Sequence, residues 1–110
     1  YDGALTPKRG YYGNNSVTAA ALESITDAAI LAKKLGDTQR LANYKRVIRS
    51  AVAYLLRLQY TPANTYGFRQ RERIIGGFKQ DLLNQTSWMD NVWHLTSAFM
   101  KIHQNGLLDP

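Results

Sequence analysis

Apolar residues recur every three or four positions along three segments of this 110-residue chain, the spacing of helices that bury one side. The first segment is rich in alanine, a strong helix former, and predicts a helix over 16–35. Ser16 is its expected N-cap and Gly36 the residue that ends it. Its predicted core stripe is Leu22, Ile25, Ala28, Ala32 and Leu35.

A second helix is predicted over 37–59, directly after the first. Asp37 is the expected N-cap, and so short a connection is compatible only with an antiparallel neighbour. The two helices should therefore form a helical hairpin. The predicted core stripe of the second helix is Leu41, Tyr44, Ile48, Ala51, Leu55 and Leu58.

The third predicted helix covers 87–104, with Ser87 at its start and Asn105-Gly106 closing it. Two different stripes run along it. The apolar stripe consists of Trp88, Val92, Leu95, Phe99 and Ile102; the polar one consists of Asp90, His94, Ser97 and Lys101. A helix with this pattern packs on one side and offers polar groups on another.

The remaining residues, 1–15 and 60–86, are predicted to be loops. The first is rich in glycine and tyrosine, and the second is long enough to be functional or to contain short elements, with Ile74-Ile75 a candidate extended segment. The predicted fold class is therefore all-α, built of antiparallel helical hairpins in a single helical domain or the terminal segment of a larger one.

Fourteen basic and eight acidic residues give a net charge of +6, which favours anionic partners such as nucleic acid, acidic polysaccharide or an anionic membrane surface. The densest basic cluster is 69–73, which carries an internal Glu72, and a solvated loop is the simpler interpretation of it. The chain has no cysteine, which excludes disulfides, thiolate metal sites and a thiol nucleophile and leaves the compartment undetermined.

Several other classes lack their sequence signals. No apolar run approaches the length of a membrane span. His94 and His103 are nine residues apart and no His-Glu-x-x-His pattern occurs, so no metal site is expected. Phosphate-loop, nucleophile-elbow and nucleic-acid-binding signatures are missing, and no cofactor is expected.

The candidate catalytic residues are Asp90, His94 and Asp81. Asp90 and His94 are four residues apart, so their side chains can meet on one helix face, where a carboxylate raises the basicity of an imidazole. The alternative for Asp90 is a capping role at the helix start. Asp81, in the preceding loop, could be the second carboxylate of a glycoside hydrolase or a solvated acid, and Glu23 could face a cleft or solvent.

Aromatic rings are the candidate substrate-binding groups, because a flat ring matches the C–H face of a pyranose. Tyr12, Phe78 and Trp93 are the selected rings, and Trp93 is the one expected to be most exposed since it adjoins the polar stripe. Core packing is the alternative for each of them. Arg73, from the basic cluster, is the charged substrate-binding candidate.

Three pieces of sequence resemble one superfamily. Gly13-Asn14-Asn15-Ser16 leads into the alanine-rich helix, Tyr54-Leu55-Leu56-Arg57-Leu58-Gln59-Tyr60 closes the second helix, and Gly76-Gly77-Phe78 leads through a loop to Trp88, Asp90 and His94. The pattern resembles the α/α toroids: six-hairpin glycosidases with related polysaccharide lyases, and the terpenoid-cyclase and prenyltransferase-like toroids. The resemblance covers most of 13–104.

The resemblance implies successive hairpins whose inner helices line a central cleft, with the site at the N-terminal ends of those helices. Here those positions are 12–16 and 76–90. A complete toroid has several times as many helices, so we expect the chain to be part of a longer polypeptide. The implied function is glycan hydrolysis or elimination, with a glycan as ligand.

Two other functions fit the same sequence. The chain could be a non-catalytic helical module that docks on the rest of its own protein or forms a homo-oligomer. It could also be a basic nucleic-acid-binding domain that uses Arg46, Arg49, Arg57 and the cluster 69–73 on phosphates, although nucleic acid is not the expected partner.

Overall fold

The structure, a computed structural model, describes residues 15–82 and 89–109, and for 89–91 the backbone only. Its helices are α1 (Asn15–Leu35), α2 (Thr38–Arg57), a single-turn α3 (Arg71–Ile74) and α4 (Met89–Gln104), with a 3-10 turn at Pro62–Asn64. The described residues contain no β-strand, so the all-α prediction is confirmed. Nor do they contain a helix long and apolar enough to cross a bilayer.

α1 and α2 form the predicted antiparallel hairpin. Gly36 ends α1 with φ of 70°, a left-handed conformation that favours glycine. Asp37 then caps α2, its carboxylate accepting the backbone N–H of Arg40 at 3.1 Å. Two residues thus turn the chain back on itself.

α4 packs on α1 and runs parallel to it. His94 contacts Glu23, Lys101 contacts Asp27, and Asn105 accepts a hydrogen bond from Lys33, so both helices advance in the same direction along their contact. α1 is therefore shared by two interfaces, one with the antiparallel α2 and one with the parallel α4.

The core lies where these helices meet the connection between α2 and α4. Its largest fully buried side chains on the helices are Leu22, Ile48, Tyr54, Leu55 and Leu95. The predicted α2 stripe agrees with burial, since Ile48, Ala51, Leu55 and Leu58 are buried and Leu41 and Tyr44 pack against the cluster.

Two positions of the predicted stripes are wrong. Leu35, at the end of α1, is 73% exposed, and Val92 on α4 is 39% exposed. Burial on α1 is displaced instead towards Ala19, Thr26 and Ala29. The cause is that α1 has neighbours on two sides, and small side chains let both approach closely.

The connection after α2 forms a closed loop. Its ends are joined by an antiparallel bridge between Gln59 and Phe78, and the Tyr60 N–H donates to the Gly77 carbonyl at 2.8 Å. Gly76 adopts φ of 94°, which needs glycine. The predicted extended segment at Ile74-Ile75 is wrong at Ile74, which is the last residue of α3.

Candidate functional site

Three polar side chains meet at the seam between α1 and α4. Nδ1 of His94 lies 2.8 Å from Oε2 of Glu23, and the Ser97 hydroxyl donates to the other carboxylate oxygen of Glu23 at 3.0 Å. His94 and Ser97 are three residues apart on α4, so one helix face presents both donors to a single acceptor. Each oxygen of the Glu23 carboxylate is therefore engaged.

The hydrogen bond from His94, followed by the one from Ser97, holds the pKa of the Glu23 carboxyl below its usual value of 4.5. Glu23 is therefore a carboxylate at neutral pH and acts only as an acceptor. The hydrogen of a neutral His94 imidazole then lies on Nδ1, which leaves the Nε2 lone pair free to accept a proton. Glu23 orients a base rather than acting as one.

An exposed aromatic ring lies beside this base. The Trp93 indole is 71% exposed, and its plane is 7° from that of the His94 imidazole, with the ring centroids 5.9 Å apart. This is an offset stacked arrangement. Because Trp93 is largely exposed within the described structure, part of its ring surface is available to a ligand beside the imidazole.

A second polar contact continues the seam one turn further on. Lys101 Nζ lies 2.8 Å from Asp27 Oδ1, and Asp27 raises the pKa of the Lys101 ammonium. Beside the seam, α4 presents a groove of about 570 Å³. Its lining is Val92, Trp93, Thr96, Ser97, Met100, Lys101 and Gln104.

Two predicted site residues, His94 and Trp93, belong to this cluster. Three other predicted site residues, Arg73, Asp81 and Phe78, are described at other places in the fold. His94 and Trp93 adjoin each other as their sequence positions indicated. The whole of Tyr12 and the side chain of Asp90 lie outside the described residues, although the backbone of Asp90 is in the first turn of α4. Arg73 is exposed on α3.

Asp81 lies near the N-terminal end of α1. It follows Gln80, whose carbonyl accepts the backbone N–H of Asn15 at 2.6 Å, and the side-chain amide of Asn15 donates to the carbonyl of Lys79 at 3.3 Å. His94 lies in the second turn of α4. Asp81 thus belongs to a segment beside the start of α1, and His94 belongs to the N-terminal half of α4, the helix parallel to α1.

Phe78 is a core residue, contrary to its predicted role as an open binding ring. It is 7% exposed and packs edge-on against Phe99, with the ring centroids 6.2 Å apart. The bridge that closes the loop at Gln59 places Phe78 over the helices, so its ring supports the fold and has no face for a sugar.

Glu23 is the member that the sequence did not single out. The polar stripe on the third predicted helix was the signal in the sequence for such a partner, because an imidazole that faces a neighbouring helix needs a hydrogen-bond partner there. Glu23 and Asp27 are four residues apart on α1, and His94 and Lys101 are seven apart on α4. Spacings of four and seven residues each keep a pair on one side of its helix, so two acids on α1 and two basic residues on α4 indicate paired faces. Within the described residues, no three metal-ligating side chains come together.

Replacing Glu23 by Gln is expected to lower the free energy of unfolding by about 1–2 kcal/mol at pH 7, because His94 and Ser97 lose a charged acceptor in a partly exposed site. Asp27→Asn is the matched control. It removes an exposed carboxylate one turn away that pairs with Lys101, and it should cost clearly less stability than Glu23→Gln. Urea denaturation of both variants measures the difference.

The effect of Glu23→Gln should depend on pH in a defined direction. Since folding lowers the pKa of Glu23, its stabilisation is present above 4.5 and is lost as the pH falls through the lowered pKa. The stability difference between wild type and variant should therefore shrink in acid. A difference that is constant from pH 7 to pH 3, or equal losses in Glu23→Gln and Asp27→Asn, would contradict this account.

Comparison of the chain with protein-family models, curated proteins and solved structures finds no match.

Proposed function

We propose that this chain is a portion of a carbohydrate-active α/α-toroid protein, and that Trp93 and His94 form part of its glycan site. The observation that carries the proposal is the exposed indole stacked beside an imidazole that a carboxylate orients. A pyranose can place its C–H face on such a ring while its hydroxyl groups reach polar neighbours. Glycan hydrolysis or elimination is the reaction class.

The helix arrangement supports the toroid part of the proposal. In such proteins the inner helices run parallel, and an antiparallel outer helix connects each to the next. α1 and α4 are parallel neighbours, and α2 is antiparallel to α1 between them in the chain. With α1 and α4 as inner helices, their uncovered sides would face the cleft, where α1 has the exposed Ala20, Ser24 and Leu31.

The proposed chemistry divides among three groups. His94 Nε2 takes a proton from the attacking water in hydrolysis, or from the sugar carbon in elimination. Glu23 holds the imidazole by Nδ1, and its negative charge stabilises the imidazolium that forms. Asp90 or Asp81, as a protonated carboxyl group, donates a proton to the leaving oxygen, the general-acid role in glycoside hydrolysis.

Binding of a neutral oligosaccharide should change the fluorescence of Trp93 in a saturable way. The chain has two tryptophans, so Trp88→Phe leaves Trp93 as the single indole. The probes are cello-, xylo-, manno- and maltohexaose. A sugar ring that covers an indole which is 71% exposed removes water from it, and the emission should shift to shorter wavelength.

Trp93→Phe is the matched control, since it leaves Trp88 as the reporter. Its emission should respond much less to the same titrant. If none of the four hexaoses alters the Trp93 emission, or if Trp88 reports the same response, the indole is not the glycan platform.

A non-catalytic interaction module is the second candidate. The exposed apolar side chains favour it, because Val92, Trp93 and Met100 share the outer side of α4 and Leu31 and Leu35 are exposed on α1. A concentration-dependent mass in sedimentation equilibrium, lost in Met100→Glu, would favour this function over glycan binding.

A further inference from the structure

Nearly all of the excess positive charge is on one helix. α2 contains five basic residues and no acidic residue between Thr38 and Arg57. The rest of the chain has nine basic and eight acidic residues and is almost neutral. The net charge of +6 is therefore a property of α2 rather than of the whole surface.

Three arginines form an exposed stripe on α2: Arg46, Arg49 and Arg57. At 100° per residue their directions lie within about 80° of one another, and at 1.5 Å per residue they extend over about 16 Å. On this face the exposed Ala53 lies between them and the exposed Ala42 lies one turn before Arg46, so the neighbouring side chains are small. We call this surface the arginine stripe.

No acid among the described residues neutralises the arginine stripe. The described salt bridges join Arg40 to Asp37, His94 to Glu23 and Lys101 to Asp27. Arg49 donates to the backbone carbonyl of Asp109 at 3.1 Å, and no salt bridge from Arg49 to a carboxylate is found among the described residues. Glu23 and Asp27, the acids of α1, are both engaged with α4.

We propose that the arginine stripe binds an anionic polysaccharide that carries carboxylates along its length, such as a polyuronate. The stripe is a second surface, separate from the seam between α1 and α4. An extended row of like charges attracts a polymer with repeated opposite charge, and its guanidinium forks match planar carboxylates in two parallel hydrogen bonds.

Two observations favour a polyuronate over nucleic acid. The stripe consists of arginines and alanines with no aromatic residue, so it offers no ring for stacking unpaired bases. The same chain carries the exposed Trp93 platform, and a glycan is the polymer that both surfaces accept. This choice of polymer rests on the proposed function, whereas the binding of a polyanion by α2 does not.

The experiment measures the affinity of the intact chain for polygalacturonate by isothermal titration calorimetry at two salt concentrations. Arg46→Gln with Arg57→Gln removes two charges that hold no other described partner and leaves Arg49 in place. This double variant should bind about tenfold more weakly, with a smaller dependence on salt. Lys33→Gln with Lys34→Gln removes the same charge at the end of α1 and should bind like wild type.

Each other outcome overturns the proposal. Equal weakening in both double variants would mean diffuse attraction by net charge. Tighter binding of the stripe to duplex DNA or to phosphatidylserine vesicles than to polygalacturonate would assign it to another polyanion. Trp93 emission tests the proposed function separately. If the arginine stripe binds polygalacturonate but neutral hexaoses leave the Trp93 emission unchanged, this inference stands and Trp93 is not a glycan platform.

Discussion

Leu22→Ala is expected to lower the free energy of unfolding by about 2–5 kcal/mol, because it removes three carbons from a side chain that has no exposed surface. Leu22 lies on α1, the helix that packs against both α2 and α4. Leu22 belongs to the core cluster that also contains side chains of α2 and α4, so a cavity there removes packing from the centre of the fold. Unfolding in urea, followed by circular dichroism, measures the loss.

Leu31→Ala is the matched control for this prediction. It makes the same change on the same helix at a position that is 57% exposed, so it should alter the free energy of unfolding by less than about 0.5 kcal/mol. If the two variants lose equal stability, the described burial of α1 is wrong. A loss confined to Leu22 supports α1 as the central helix.

The helices were predictable from the sequence because local signals mark them. Asp37 caps α2 and Gly36 and Gly106 take the positive φ that ends a helix, all within one turn of the expected positions. The apolar repeat of α2 also matched burial, since that helix has one dominant packing side. These features depend on neighbours in the chain and need no knowledge of the fold.

What could not be predicted depends on contacts between distant segments. Leu35 continues the apolar repeat of α1, yet it lies at the end of the helix, where no element of the described structure covers it. Phe78 was predicted to be an open binding ring, but the bridge to Gln59 places it in the core. Sequence spacing shows which residues share a face, but not which face another helix covers.

The seam shows the same limit at the site. His94, Ser97 and Lys101 were placed on one polar face by their spacing, and all three contact α1. The acceptor Glu23 is 71 residues from His94 in the chain, so only the parallel packing of α1 and α4 brings the pair together. A base and the group that orients it are often on different elements for this reason.

On the proposed function, His94→Asn is expected to reduce the rate of glycan cleavage by about 10²–10⁴-fold, the usual contribution of a positioned proton acceptor. Asparagine can still donate to Glu23, so the seam should persist, but it offers no nitrogen lone pair that can accept a proton. The change removes the group that accepts the proton but leaves Trp93, the proposed binding ring, in place. We therefore expect kcat to fall while KM changes little. Release of reducing ends from polysaccharide measures hydrolysis, and ultraviolet absorbance of unsaturated sugar measures elimination.

His103→Asn is the control, because it alters the other histidine of α4, which is exposed and lines a different groove, together with Phe99 and Leu108. Its turnover should equal that of wild type.

Glu23→Gln should give an intermediate loss of kcat, since the imidazole keeps its lone pair but loses the carboxylate that stabilises its protonated form. Unchanged turnover in His94→Asn would remove His94 from the chemistry and leave Trp93 as a binding platform. Equal losses in His94→Asn and His103→Asn would assign the effect to α4 as a whole, since a proton acceptor at one position cannot produce it.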